Sequence, residues 1–321
     1  MLCMKYIITF FIVTGFLSIP GYTQSDPGIF MADPTIFRYE GTYYLYGTHG
    51  AGADSGFYVM TSKDLQHWHQ GAKGKRVLER GVVYGSKGFW APQVFWHRGN
   101  IYMAYTANEQ IAIAAAENPG GPFVQEVQQP LPATGKQIDP FIFRDDDGKL
   151  YFYNVRLQNG NRIFVAEMKQ DLSGVDGSTL RECINAEEGW ENTRSAPWPV
   201  AEGPTVMKVN GKYVMFYSAN DFRNPDYAVG YAVADHPLGP WKKAQQNPII
   251  SRANTGHNGP GHGDIIRDES GQYHYVFHTH FSGEKVAPRR TAIVTLSIYI
   301  DAQDGVSVKV DPETFRLLQA P

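Results

Sequence analysis

Cysteine is almost absent from the 321-residue chain, with Cys3 and Cys183 its only two copies. Cys3 lies in an apolar leader, so the mature protein keeps a lone thiol. That excludes an internal disulfide framework and leaves stability to a buried core. An excess of charge is also lacking. The 29 basic and 32 acidic side chains give a formal net charge of −3, which offers no basis for nucleic acid or an anionic membrane as partner. Long helical periodicity is missing, and so is any apolar run of the roughly 20 residues that a bilayer span needs. The longest apolar stretch, Tyr6 to Ile19, follows Lys5 and stops at Pro20-Gly21. It reads as a signal peptide over residues 1–23, cut near Thr23-Gln24, which makes the mature protein secreted or periplasmic.

What is present is repetition. Asp33-Pro34-Thr-Ile-Phe-Arg-Tyr-Glu-Gly41 is matched by Ala91-Pro92 with Gly99, Asp139-Pro140 with Gly148, Gly203-Pro204 with Gly211, and Gly263-Asp264 with Gly271. The anchors at 34, 92, 140, 204 and 264 are 58, 48, 64 and 60 residues apart. The glycine follows its anchor by seven residues in four copies and by eight in the copy holding Asp145-Asp146-Asp147. Each copy reads as two strands joined by a glycine turn, with the Asp run as a polar hairpin loop. A third apolar run follows each pair, for example Ile163 to Ala166. Gly121-Pro122-Phe123 and Gly239-Pro240-Trp241 mark a fourth short element in two copies. About four antiparallel strands per unit, five times over, predict an all-β five-bladed propeller. It forms one domain over residues 24–321. Trp68, Phe123 and Trp241 recur with the blades and read as core.

The first strand of each propeller blade lies nearest the central axis, so equivalent positions converge on one funnel. Aligned just before the anchor, the series is Asp33, Ala91, Asp139, Gly203 and Gly263. One residue earlier it is Ala32, Trp90, Ile138, Glu202 and His262. Three carboxylates, a Trp and a His thus share one centre. Like charges in a confined site push pKa values apart, which suits paired acid and base chemistry.

With these motifs in order and at blade spacing, the chain resembles glycoside hydrolase family 43 along nearly its whole mature length. The carriers are Ala32-Asp33-Pro34, Phe89-Trp90-Ala91-Pro92, Ile138-Asp139-Pro140, Ala201-Glu202-Gly203-Pro204 and Gly261-His262-Gly263-Asp264. The resemblance implies a single displacement with inversion. Asp33 would be the general base, Glu202 the general acid, and Asp139 the group that tunes the acid and orients the sugar. Inversion calls for carboxyls about 6.5–9.5 Å apart. Trp90 is expected to stack on the sugar and His262 to border it. Arg290, or its neighbour Arg289, is expected to contact it. No cofactor is required, although a calcium ion at the propeller centre, bordered by His262 through water, is a further expectation. His278 and His280 alternate on one strand and read as structural.

The expected partner is an oligosaccharide or polysaccharide, met by a monomer. An exo-acting α-L-arabinofuranosidase is the reading taken, with β-xylosidase, arabinanase and galactan-cleaving activities as alternatives. A non-catalytic carbohydrate-binding propeller is the alternative of another class. The invertase and fructan-cleaving propellers are disfavoured, because their Trp-Met-Asn-Asp-Pro-type opening is missing. The loop from Glu187 to Pro199 is expected to shape the entrance.

Overall fold

The computed structural model describes residues 28–300 and 305–320, so the expected signal peptide lies outside the described residues. Five sheets follow one another along the chain and form the blades of a propeller. The first holds Ala32–Tyr39, Thr42–Thr48, Met60–Ser62 and Trp68–Gln70. The second has three strands, Trp90–His97, Asn100–Ala107 and Gln110–Ala116. The third holds Gln137–Arg144, Leu150–Leu157, Asn161–Met168 and Arg181–Ile184. The fourth runs through Ala201–Val209, Lys212–Ala219, Ala228–Ala234 and Lys242–Lys243. The fifth contains Gly261–Arg267, Tyr273–Thr279, Arg290–Ile300 and Val306–Leu317.

The expected fourth element of the second blade is reduced to isolated bridges, Ala115 with Val124 and Leu78 with Phe123. Phe123 is fully buried there, so packing keeps what the ladder gives up. The Pro119 and Pro237 carbonyls, in the matching motifs Asn118-Pro119 and His236-Pro237, accept hydrogen bonds from buried tyrosines one blade back. Tyr46 donates to Pro119 at 2.6 Å and Tyr153 to Pro237 at 2.7 Å.

The apolar faces pair up blade to blade. One core cluster lies at each of the five interfaces, and the last joins Ile36, Leu45 and Trp68 of the first blade to Val276 and Ile293 of the fifth. Burying each such side chain stabilises the fold by about 1.5–3 kcal/mol. The ring closes through the backbone as well. Ile29 donates to Leu318 O and accepts from Thr291 N, both at 2.9 Å.

Each inner strand carries a bulge at its start. The register slips between Ala32 and Thr35, Trp90 and Gln93, Ile138 and Phe141, Glu202 and Thr205, and Gly261 and Asp264. At each slip sits a residue with positive φ: Asp33 at 49°, Ala91 at 45°, Asp139 at 54°, Gly203 at 60° and His262 at 41°. An L side chain there costs roughly 1–2 kcal/mol, and such strain gathers where a side chain must be re-aimed.

This geometry corrects the alignment of the fifth copy by one residue. Its anchor is Gly263, not Asp264, so His262 stands in the row of Asp33 and Asp139, and Gly261 in the row of Glu202. The turn glycine Gly271 then follows by eight residues, as Gly148 follows Pro140. Both turns close alike, with Gly148 donating to Asp145 O and Gly271 to Asp268 O. Proline is missing at 263 for a steric reason, since a Cβ there would lie 1.8 Å from the Val276 carbonyl oxygen. Asp264 accordingly falls in the row of Thr35, Gln93 and Thr205. It joins blades near the axis by accepting from the Thr35 hydroxyl at 2.5 Å and the Thr205 hydroxyl at 2.6 Å.

Candidate active site

The bulges are held in place by neighbouring blades. In four of the five blades the N–H of the bulge residue donates to a side chain on the second strand of the preceding blade. Ala91 donates to Thr48 Oγ1, Asp139 to Thr106 Oγ1, His262 to Ser218 Oγ and Asp33 to His278 Nδ1, at 2.7–3.1 Å. The fifth such position is Val155, which has no acceptor to offer. Gly203 N–H donates instead to Asp139 Oδ2 at 3.2 Å. One break in the pattern therefore ties Asp139 to the residue beside Glu202. Gly203 itself admits no larger residue, because a Cβ would meet the His262 ring at 2.8 Å.

Asp33, Asp139 and Glu202 are buried and line one cavity of about 420 Å³ with Trp90, Asn161, Trp198, Asp221, Arg223, His262 and Arg289. That volume falls within the range of small-ligand pockets. Trp90 is 36 % exposed at this cavity, and Trp198, from the loop expected to shape the entrance, is 47 % exposed.

The two outer acids sit in opposite environments. Asp33 accepts from Thr48 at 2.7 Å and from Arg289 Nη1 at 3.0 Å. Burial alone would raise its pKa, but Arg289, the His262 and His278 rings and the Thr48 hydroxyl outweigh it and hold Asp33 below the usual carboxylate range. Glu202 accepts from the Tyr227 hydroxyl and from Asn161 Nδ2, both at 2.8 Å. Burial leads there and pushes Glu202 up to about 7, against the two hydrogen bonds and with help from Asp33 and Asp221. Burial, then the charges of Glu202 and Asp33, push Asp139 well above its ordinary value. Asp139 and Glu202 thus titrate as a linked pair.

His262 Nδ1 lies 3.5 Å from Asp33 and 3.8 Å from Asp139. Burial lowers its pKa, and burial followed by Arg289 lowers that of His278 much further.

Of the two adjacent arginines, Arg289 enters the site. Its guanidinium stacks 4.7 Å from the Phe222 ring centroid. Arg290 begins the next strand and turns away, over Phe30 and Phe281 at 5.9 and 5.5 Å. The expectation for Arg290 is corrected on that ground, with Arg289, just before the strand, as the arginine that lines the cavity. His278 also belongs to the site, through Asp33. His280 holds Phe222, the platform for Arg289, by a 2.8 Å hydrogen bond to its carbonyl.

Asn161, Tyr227, Thr48 and Arg289 carried no repeat signal, because they stand on second and third strands or in loops. The lone sequence hint was Arg289-Arg290 just before a strand.

The donor set does not fit a directly coordinated calcium ion. Such an ion takes six to eight oxygens. Here the Asp33 oxygens already serve Thr48 and Arg289, those of Asp264 serve Thr35 and Thr205, and His262 offers nitrogen. An axial cavity of about 30 Å³ is lined by Asp33, Gln93, Asp139, His262 and Asp264, enough room for a water molecule. Among the described residues no cluster of three or more His, Cys, Asp or Glu is arranged for a metal. Nor is any helix there long and apolar enough to cross a membrane.

Known proteins share this fold. An endo-1,4-β-xylanase from Bacteroides thetaiotaomicron superposes with a TM-score of 0.85 at 39 % identity, over 92 % of this chain and 99 % of that one. The β-D-galactofuranosidase of Aspergillus niger is 23 % identical over 84 % of this chain and 80 % of its own length. A xylosidase/arabinosidase of Butyrivibrio fibrisolvens is 27 % identical over 69 % of this chain, which spans 44 % of that protein. The family model Glycosyl hydrolases family 43 matches residues 28–301. The chain belongs to glycosyl hydrolase family 43, and it is an inverting glycosidase that acts on carbohydrate without a cofactor.

Proposed function

We propose that the chain is an exo-acting α-L-arabinofuranosidase in which Asp33 is the base, Glu202 the acid and Asp139 the orienting partner. The observation that carries this reading is the split between the two buried carboxyls. Arg289 keeps Asp33 ionised, while burial keeps a proton on Glu202 near neutral pH. Asp33 takes a proton from water as that water attacks the anomeric carbon. Glu202 gives its proton to the departing glycosidic oxygen, and the configuration inverts. Asp139, anchored by Thr106 and facing the Gly203 amide, is placed to hold a sugar hydroxyl and to share a proton with Glu202.

A furanose substrate is supported by the names of the Aspergillus galactofuranosidase and the Butyrivibrio xylosidase/arabinosidase. The second reading, β-xylosidase, is favoured by the xylosidase and xylanase in the same set. Carbohydrate outside the cell would be the natural substrate for a protein with the leader described above.

Nitrophenyl pentosides, with the first-formed anomer followed by NMR, test the assignment. The α-L-arabinofuranoside should be cleaved fastest and yield the β-anomer first. A preference for β-D-xylopyranoside would transfer the assignment to the second reading. Retention of configuration would remove the single-displacement mechanism.

A further inference from the structure

The base is flanked by groups set deep in the ring, whereas the acid is tied to the rim. Trp198 Nε1 donates to Asn161 Oδ1 at 2.9 Å, and Asn161 Nδ2 donates to Glu202 Oε2 at 2.8 Å. The direction of this chain is fixed by chemistry. An indole N–H can only donate, so it claims the amide oxygen and turns the amide nitrogen toward Glu202. Without that contact the amide could rotate and present its oxygen to the acid. A protonated Glu202 would then donate to Asn161 rather than to the substrate.

Trp198 is also half-exposed, and its ring faces two cavities. It lines the catalytic cavity and, with Val200, Asp221 and Arg223, a second one of about 490 Å³ that also touches Asn192 and Asn220. The leaving group departs on the side of the acid, so the second cavity continues the path of that group. An indole with a pinned N–H presents a fixed apolar face, which suits the apolar face of a sugar ring.

We propose that Trp198 seats the leaving-group sugar and, through Asn161, sets the orientation in which Glu202 delivers its proton. Both are positioning residues for the acid, and Trp198 in addition selects a glycosyl leaving group. The inference rests on the reading of Glu202 as general acid.

The test uses glycosides whose leaving groups need increasing help from an acid, from dinitrophenol through nitrophenol to a sugar alcohol. Glu202→Gln is run alongside Asn161→Ala, Trp198→Phe and Trp198→Ala. Dinitrophenolate departs without a proton, so a defect in proton delivery should spare that substrate relative to the others. Asn161→Ala and Trp198→Phe should lower kcat for the sugar leaving group about tenfold more than for dinitrophenol. Trp198→Phe keeps an aromatic face, so its KM for oligosaccharide should stay near the parent value. Trp198→Ala should raise that KM as well. A merely structural role would scale all rates down together, and an equal loss across the series overturns the inference. If Glu202→Gln itself gives no dependence on leaving group, the acid assignment fails first. If Glu202→Gln gives it and the other two variants do not, the acid assignment stands and this inference falls.

Discussion

The first and fourth blades carry the same bulge and put a carboxylate beside it, yet the two acids sit in opposite surroundings. In the first blade the acid stands on the bulge residue itself, Asp33, and its neighbours are a guanidinium, a hydroxyl and two imidazoles. In the fourth the bulge residue is Gly203, the acid stands one place earlier at Glu202, and its neighbours are a phenol and an amide. Both are buried to the same degree. Burial therefore cannot distinguish them, and the cation can. The repeat delivers carboxyls to the axis, while the side chains gathered around each of them decide which one keeps a proton.

The largest break in this contrast is to remove the ionised partner. On the roles proposed above, Asp33→Asn should lower kcat/KM about a thousandfold or more with every leaving group, because attack by water is then unassisted. Steady-state rates on the preferred nitrophenyl glycoside read this directly. Next in size is Arg289→Met, which removes the cation from Asp33 and lets burial raise its pKa. The base must be ionised, so activity is lost as pH falls through that pKa. Raising the pKa should move the acidic limb of the kcat/KM profile upward and cost about tenfold at pH 5, with less loss near pH 7.

Tyr227→Phe acts on the other side and more gently. The phenol favours ionised Glu202, so losing it should raise the pKa of the acid. The acid must be protonated, and activity falls as pH rises through about 7 in the parent. The alkaline limb should therefore move upward by about one unit, with a few-fold change in kcat. A downward shift would break the assignment of the phenol. The smallest effect is expected from Thr106→Val, which copies the situation at Val155 by removing the acceptor for a bulge amide. It should cost about 1–3 kcal/mol of stability, seen as a lower Tm, because Asp139 N–H is left buried without a partner.

The propeller and its three axial acids were legible in the sequence because both are properties of the repeat. A strand pair with a turn glycine leaves a local signature, and five signatures in order define the ring. The frame of the fifth copy was not legible in this way. Gly263 stands where the other four copies have proline and clears the Val276 carbonyl, and Asp264, one residue later, looked like the anchor. Nor did the sequence separate Arg289 from Arg290, since that depends on where a strand begins, which is set by pairing with Thr279. Tyr227, Asn161 and His278 were out of reach for a related reason. Their partners lie 25, 41 and 245 residues away, and such contacts exist only once blades pack. His278 was seen as one of an alternating pair, but nothing local ties it to Asp33.

That last separation bears on the order of events when the protein is made. Asp33 sits near the start of the first blade, and its backbone amide is secured by a ring nitrogen from the fifth. The carboxylate proposed as the base thus leaves the ribosome early but gains this hydrogen bond only when the last blade docks. A chain that stopped before the fifth blade would leave the Asp33 amide without its ring-nitrogen partner, so this one hydrogen bond depends on completion of the ring.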